Sequence, residues 1–169
     1  MTDALQTLLL VALVAAAVAT DVASRRIPNA LTLTGLVAGL ALRVPEGVDA
    51  FAVGVLGAGV ALALALPLVL AGGLGGGDAK LLAAVGAFVG IDGLPVVLLV
   101  TAVAGGAMAI TLAARHGAIG ETLAHCRALV RRVLPGRGAV PVRTLATPGA
   151  LAVPYGVAIA LGALVGWWA

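Results

Sequence analysis

The chain has 169 residues, 62% of them hydrophobic and only 10% charged, with a mean hydropathy of +1.20. About a quarter of the residues in a soluble domain are charged, so these proportions exclude a freely soluble fold and fit one compact membrane bundle with no separate soluble domain. The formal net charge of +3 decides little, whereas the single cysteine, Cys126, excludes an internal disulfide, a Cys-x-x-Cys zinc site and a thiol redox pair.

Six apolar stretches follow one another, at 4–20, 30–42, 50–71, 79–91, 94–113 and 150–168. They lack the alternation of barrel strands, and only helices or closed barrels satisfy backbone polar groups in lipid. The pattern therefore predicts an all-α, polytopic protein of six transmembrane helices, with residues 1–169 forming a single membrane-embedded domain. The N-terminal Met-Thr-Asp has no positive region, which argues against a removed signal peptide. If the segment after the first stretch is cytoplasmic, every Lys and Arg except Arg43 faces the cytoplasm, while Asp3, Glu46, Asp49 and Asp92 lie outside. That bias predicts a multi-pass protein of the cell's inner (cytoplasmic) membrane with both termini outside.

Two stretches are short. Residues 30–42 and 79–91 rise about 20 Å each, against a hydrocarbon core of roughly 30 Å. With Arg43 and Asp92 pinning their outer ends, the shortfall is expected at the cytoplasmic ends, at Pro28-Asn29 and Gly77-Asp78. A water-filled, cytoplasm-facing notch is expected there. The outer halves of the helices read as uniformly apolar.

The basic segment at about 114–149 is expected to be a cytoplasmic loop. Within it Leu123, Cys126, Val130 and Leu134 fall at helical spacing opposite Glu121, His125, Arg131 and Arg132, as in an interfacial amphipathic helix ended by Pro135-Gly136. Its cations fit contact with membrane lipid.

Two carboxylates carry the chemistry. Asp21 ends the first stretch and Asp78 closes Gly72-Gly73-Leu74-Gly75-Gly76-Gly77. A carboxylate near hydrocarbon is costly and marks a functional site by default. Each also has a plain structural reading: Asp21 as an interfacial residue paired with Arg25, Asp78 as the N-cap of the helix it begins. Capping does not explain the glycines before Asp78, which permit unusual dihedral angles and close approach of another backbone, such as a peptide substrate. Two carboxylates a few Å apart cannot both stay ionised, and a pair sharing one proton suits general acid–base hydrolysis by water.

Other chemistries are disfavoured. Ser24 is the only serine, His116 and His125 form no His-Glu-x-x-His motif, and the glycine run lacks a Gly-Lys-Ser/Thr ending. No metal, cofactor or nucleic acid is expected, with aromatics at 3% of the chain.

Gly75-Gly76-Gly77-Asp78-Ala79-Lys80-Leu81-Leu82 resembles the Gly-x-Gly-Asp-x-Lys-Leu motif of type IV prepilin peptidases, which are membrane aspartic proteases. Asp21 with Arg25-Arg26-Ile27-Pro28-Asn29 is similar to that family's first catalytic aspartate and its tail. Pro154-Tyr155-Gly156 is similar to a segment common in its final helix. The resemblance spans essentially the whole chain. It implies that Asp21 and Asp78 are the catalytic pair and that Gly75 and Gly77, with Lys80 beside them, shape the active-site loop. It also makes Arg26, Pro28, Asn29, Pro154, Tyr155 and Gly156 supporting residues. The implied activity is cleavage of the basic leader of prepilin- or preflagellin-like precursors at the cytoplasmic face, before pilus or secretion-system assembly. With no early cysteine motifs, the chain resembles the short, peptidase-only forms serving Flp/Tad-type pili or the archaeal preflagellin peptidases, without N-methyltransferase activity. The competing reading is non-enzymatic: a small proton-coupled carrier using the same acids as a relay, or a pilus-assembly scaffold.

Overall fold

The computed structural model describes residues 2–120, 122–124, 127, 128 and 153–169. All regular structure among them is helical: α1 (Thr2–Ser24), α2 (Asn29–Arg43), a short 3-10 turn (Val44–Glu46), α3 (Val48–Leu70), α4 (Gly76–Arg115) and α5 (Tyr155–Trp168). Residues 4–24 of α1, α3 and α4 are long and apolar enough to cross a membrane, and α5 is a shorter apolar helix. The protein is thus an all-α membrane protein. Cys126, Val130 and Leu134 of the expected amphipathic helix, and most of the basic loop, lie outside the described residues.

The helix ends follow from local chemistry. Asp21 is not the last residue of α1, which continues to Ser24 and closes at Arg25 in a left-handed conformation (φ 54°), with the Arg25 amide donating to the Asp21 carbonyl at 2.8 Å. Pro28, extended at φ −62° and ψ 138°, precedes α2, where its fixed φ and missing N–H are harmless. At the end of α3, Gly72 is left-handed (φ 80°). Its amide donates to Val69 O and that of Gly73 to Leu68 O, each at 2.9 Å. This is a Schellman termination. The first two glycines of the run therefore close α3, and the expectation that the whole run serves substrate access narrows to Gly75–Gly77.

A straight helix as long as α4 would be about 60 Å, twice the hydrocarbon thickness. It is broken at Gly90 (φ 73°, ψ −178°), ahead of the gap at 92–93 expected from the apolar runs. Gly105, past the break, packs on the ring of Tyr155, whose electrostatic neighbour is Asp78 near the start of α4. The second arm thus returns to the level at which the first began. The break frees carbonyls that the helix no longer pairs. Arg43 takes two of them, its Nε donating to Ala87 O at 2.9 Å and one terminal nitrogen to Phe88 O, while its other terminal nitrogen donates to Ala50 O at the start of α3 at 3.4 Å.

Small residues set the packing. A Cβ on Gly57 would stand 2.3 Å from Gly86 O, and one on Gly162 would stand 2.5 Å from Val97 O. Backbones of α3 and α5 therefore lie directly on the two arms of α4, as small residues permit in membrane bundles. Leu10, Leu81, Val85, Phe88, Leu94, Val97 and Ile159 fill the space between. The half of the bundle holding Arg43 is not uniformly apolar, contrary to expectation. Buried Gln6 donates to Glu46 Oε1 at 2.6 Å, and Trp167 Nε1 donates to Thr7 Oγ1 at 2.9 Å. These groups are compatible with a packed interior because they are hydrogen-bonded.

Candidate active site

Asp21 and Asp78 come from different helices to the same end of the bundle, within Coulombic reach of each other. Asp21 is 6% exposed, too buried for a residue solvated at the membrane surface. It is held from α5: the Gly156 amide donates to Asp21 Oδ2 at 2.8 Å. A Cβ at position 156 would lie 2.9 Å from that oxygen and 3.2 Å from the aspartate Cβ, so glycine lets the side chain lie against the helix backbone. Pro154 precedes α5 without any capping side-chain bond. The carboxylate of Asp21 thus serves as a cap supplied from another helix, where amides and dipole favour an anion.

Asp78 is partly exposed. It is not the N-cap of α4. Gly75 is, and Asp78 sits in the first turn, where its carboxylate accepts a hydrogen bond from the Gly75 amide. This is one half of a capping box, in which a third-position acid reaches back to the capping residue's N–H. A Cβ at position 75 would stand 2.6 Å from Asp78 Oδ2, so glycine leaves room for that return.

The segment between α1 and α2 packs beside this turn. Ile27 is buried against Gly77, where a Cβ would meet Ile27 Cβ at 3.2 Å and Ile27 O at 3.3 Å. Asn29 and Lys80, both exposed, are joined by a 2.8 Å hydrogen bond from Nζ to Oδ1. Pro28 starts α2, and Arg26 is exposed on the rim, its carbonyl accepting from Ser24 Oγ at 3.3 Å. Tyr155 lies within Coulombic reach of Asp78, and its ring is seated on Gly105, where a Cβ would stand 2.5 Å from Cε2. The residues expected from sequence thus gather at one end, with Arg26 at its margin. Ile27 and Gly105 were not singled out by sequence. The first lies inside the Arg-Ile-Pro-Asn tail, but Gly105 carries no local signal, since its role depends on a tyrosine far along the chain.

Two acids, each accepting from one backbone amide, one buried and the other partly exposed, can exchange protons with each other and with a group that reaches Asp78. The structure is thus that of a helical membrane protein with two acids from separate helices within Coulombic reach of each other near one end of its bundle. Residues 8–110 match the type IV leader peptidase family, and the chain belongs to that family. No individual curated protein and no solved structure matches it. Its general activity is therefore that of a peptidase acting on prepilin-like precursors.

Proposed function

We propose that the protein is a membrane aspartic endopeptidase that removes the leader of a prepilin-like precursor at the cytoplasmic face of the inner membrane, ahead of pilus or secretion-system assembly. Asp21 and Asp78 form the catalytic pair. What supports this reading most is that two carboxylates from separate helices lie within Coulombic reach of each other, one of them buried and anchored by Gly156. Like charges in Coulombic reach of each other favour a state in which the pair holds one proton. The ionised member accepts a proton from water as its oxygen attacks the scissile carbonyl. The protonated member hydrogen-bonds the carbonyl oxygen, and a proton passes to the leaving amine as the C–N bond breaks. The activity proposed is hydrolysis alone.

The two arms of α4, with α1, α2, α3 and α5, make six crossings in this reading, with both termini outside and the basic residues inside. Gly75, Gly77 and Lys80 shape the loop that receives the substrate, and the Arg26–Asn29 segment borders it. A proton carrier is less well supported. Its acids would need polar groups continuing across the bundle, yet Gln6 and Arg43 at the opposite end are bound to Glu46 and to backbone carbonyls.

The test is cleavage of a purified prepilin-like precursor co-reconstituted with the protein in liposomes. Asp21→Asn and Asp78→Asn should each abolish processing while the bundle stays inserted. Wild-type processing by either variant would overturn the paired-acid mechanism.

A further inference from the structure

Gly156 is bound to Asp21, so the neighbouring Tyr155 is fixed beside that acid, and Asp78 lies within Coulombic reach of its side chain. The ring occupies a seat that only glycine provides: a Cβ at position 105 would fall 2.5 Å from Cε2, 2.8 Å from Cζ and 2.9 Å from the hydroxyl oxygen. Tyr155 is partly exposed and within Coulombic reach of Asp78. Among the described residues nothing hydrogen-bonds its hydroxyl. A lipid-facing interfacial tyrosine would need neither a glycine seat nor an acidic neighbour. This phenol is seated on Gly105 within Coulombic reach of Asp78, and none of the described residues takes its hydrogen bond.

We propose that Tyr155 is a third catalytic residue, whose hydroxyl donates a hydrogen bond to the scissile carbonyl oxygen as that oxygen becomes an oxyanion. The inference rests on the paired-acid reading above. Water oxygen bonds to the carbonyl carbon, one water proton goes to the ionised carboxylate, and the carbonyl π pair moves onto oxygen. That oxygen then faces two donors, the protonated carboxyl and the phenol. When the C–N bond breaks, the amine takes a proton from the carboxyl pair, and the phenol keeps its own throughout. A fixed donor aimed at charge that develops only in the transition state acts mainly on kcat.

The experiment compares Tyr155→Phe with wild type in the liposome assay, with kcat and KM measured separately and thermal unfolding followed in parallel. Phenylalanine keeps the ring on Gly105 and removes only the hydroxyl. The expected result is a fall in kcat of roughly 100-fold, with KM and the unfolding temperature unchanged. Gly105→Ala, which pushes the ring out of its seat, should lower kcat in the wild type but add little in the Tyr155→Phe background. An unchanged kcat in Tyr155→Phe would overturn the proposal, as would a loss confined to KM or one tracking lost stability. If Asp21→Asn and Asp78→Asn are inactive while Tyr155→Phe is normal, only the tyrosine's role falls. If the asparagine variants are active, the paired-acid reading falls with it.

Discussion

The two ends of the bundle both place polar groups among apolar helices, and they use them in opposite ways. At one end, Arg43 directs its guanidinium to Ala87, Phe88 and Ala50 carbonyls, and Gln6 is bound to Glu46. These bonds are turned inward, and those to Ala87 and Phe88 repair a helix break. At the other end, Asp21 is held by one amide, Asp78 accepts another, and Tyr155 has a hydroxyl with no described partner. Polar capacity is left over where chemistry is proposed and is used up where the fold must hold together. Removing groups from the first end should therefore damage stability, and removing them from the second should damage turnover.

The largest effect separates these outcomes most sharply. Asp21→Asn and Asp78→Asn should each reduce precursor cleavage on the order of a thousandfold or more, within the range of acid–base contributions. Neither should lower the unfolding temperature, because an asparagine oxygen still accepts from Gly156 or Gly75. A cleavage assay paired with thermal unfolding in detergent checks both halves. Unfolding, rather than inactivity, would make these acids structural.

Arg43→Ala should give the reverse pattern. Several buried or half-buried carbonyls would lose their donor, a loss of roughly 2–4 kcal/mol in stability. Cleavage per folded molecule should stay near wild type. Arg43→Lys should recover only part, because an ammonium lacks the planar fork that reaches several oxygens. Reversible unfolding in mixed micelles measures the difference. A variant with normal stability and lost cleavage would mean that the break at Gly90 is coupled to the acids.

The contrast also explains what was legible in the sequence. Long apolar runs gave the helices, because lipid leaves few alternatives to them. The acids stood out because a carboxylate is rare in such runs. Boundaries were less legible. Asp78 read as the cap of α4, yet Gly75 holds that position, since a third-position acid can satisfy the cap's N–H from inside the helix. The glycine run looked like one feature, but Gly72 terminates α3 and only the later glycines border the acid. Arg43 read as a charge at the membrane surface. Its insertion at the Gly90 break is a tertiary contact without local pattern, as is the seat of Tyr155 on Gly105.

A middle-sized effect is expected where the two acid-bearing regions touch. Gly77→Val would set branched methyls where even a Cβ is 3.2 Å from Ile27 Cβ and 3.3 Å from Ile27 O. Ile27 lies in a connecting segment and can shift, so the strain should move that segment more than it unfolds the bundle. Cleavage should fall about tenfold, with a stability loss of about 1 kcal/mol. Gly77→Ala should lie between valine and wild type. Normal rates in Gly77→Val would mean that the segment before α2 takes no part in forming the site.

The smallest effect concerns Asn29 and Lys80. Their bond links the start of α2 to the start of α4, but both side chains are exposed and water competes for each. A double-mutant cycle with Asn29→Ala and Lys80→Ala should therefore give a coupling of about 0.5 kcal/mol in stability, and cleavage should change by no more than about twofold. A coupling several times larger, appearing in kcat and not in stability, would show that the bond holds the connecting segment in place during turnover. The boundary between the structural and chemical groups would then run through the rim of the site, and the exposed lysine would belong with the acids it borders.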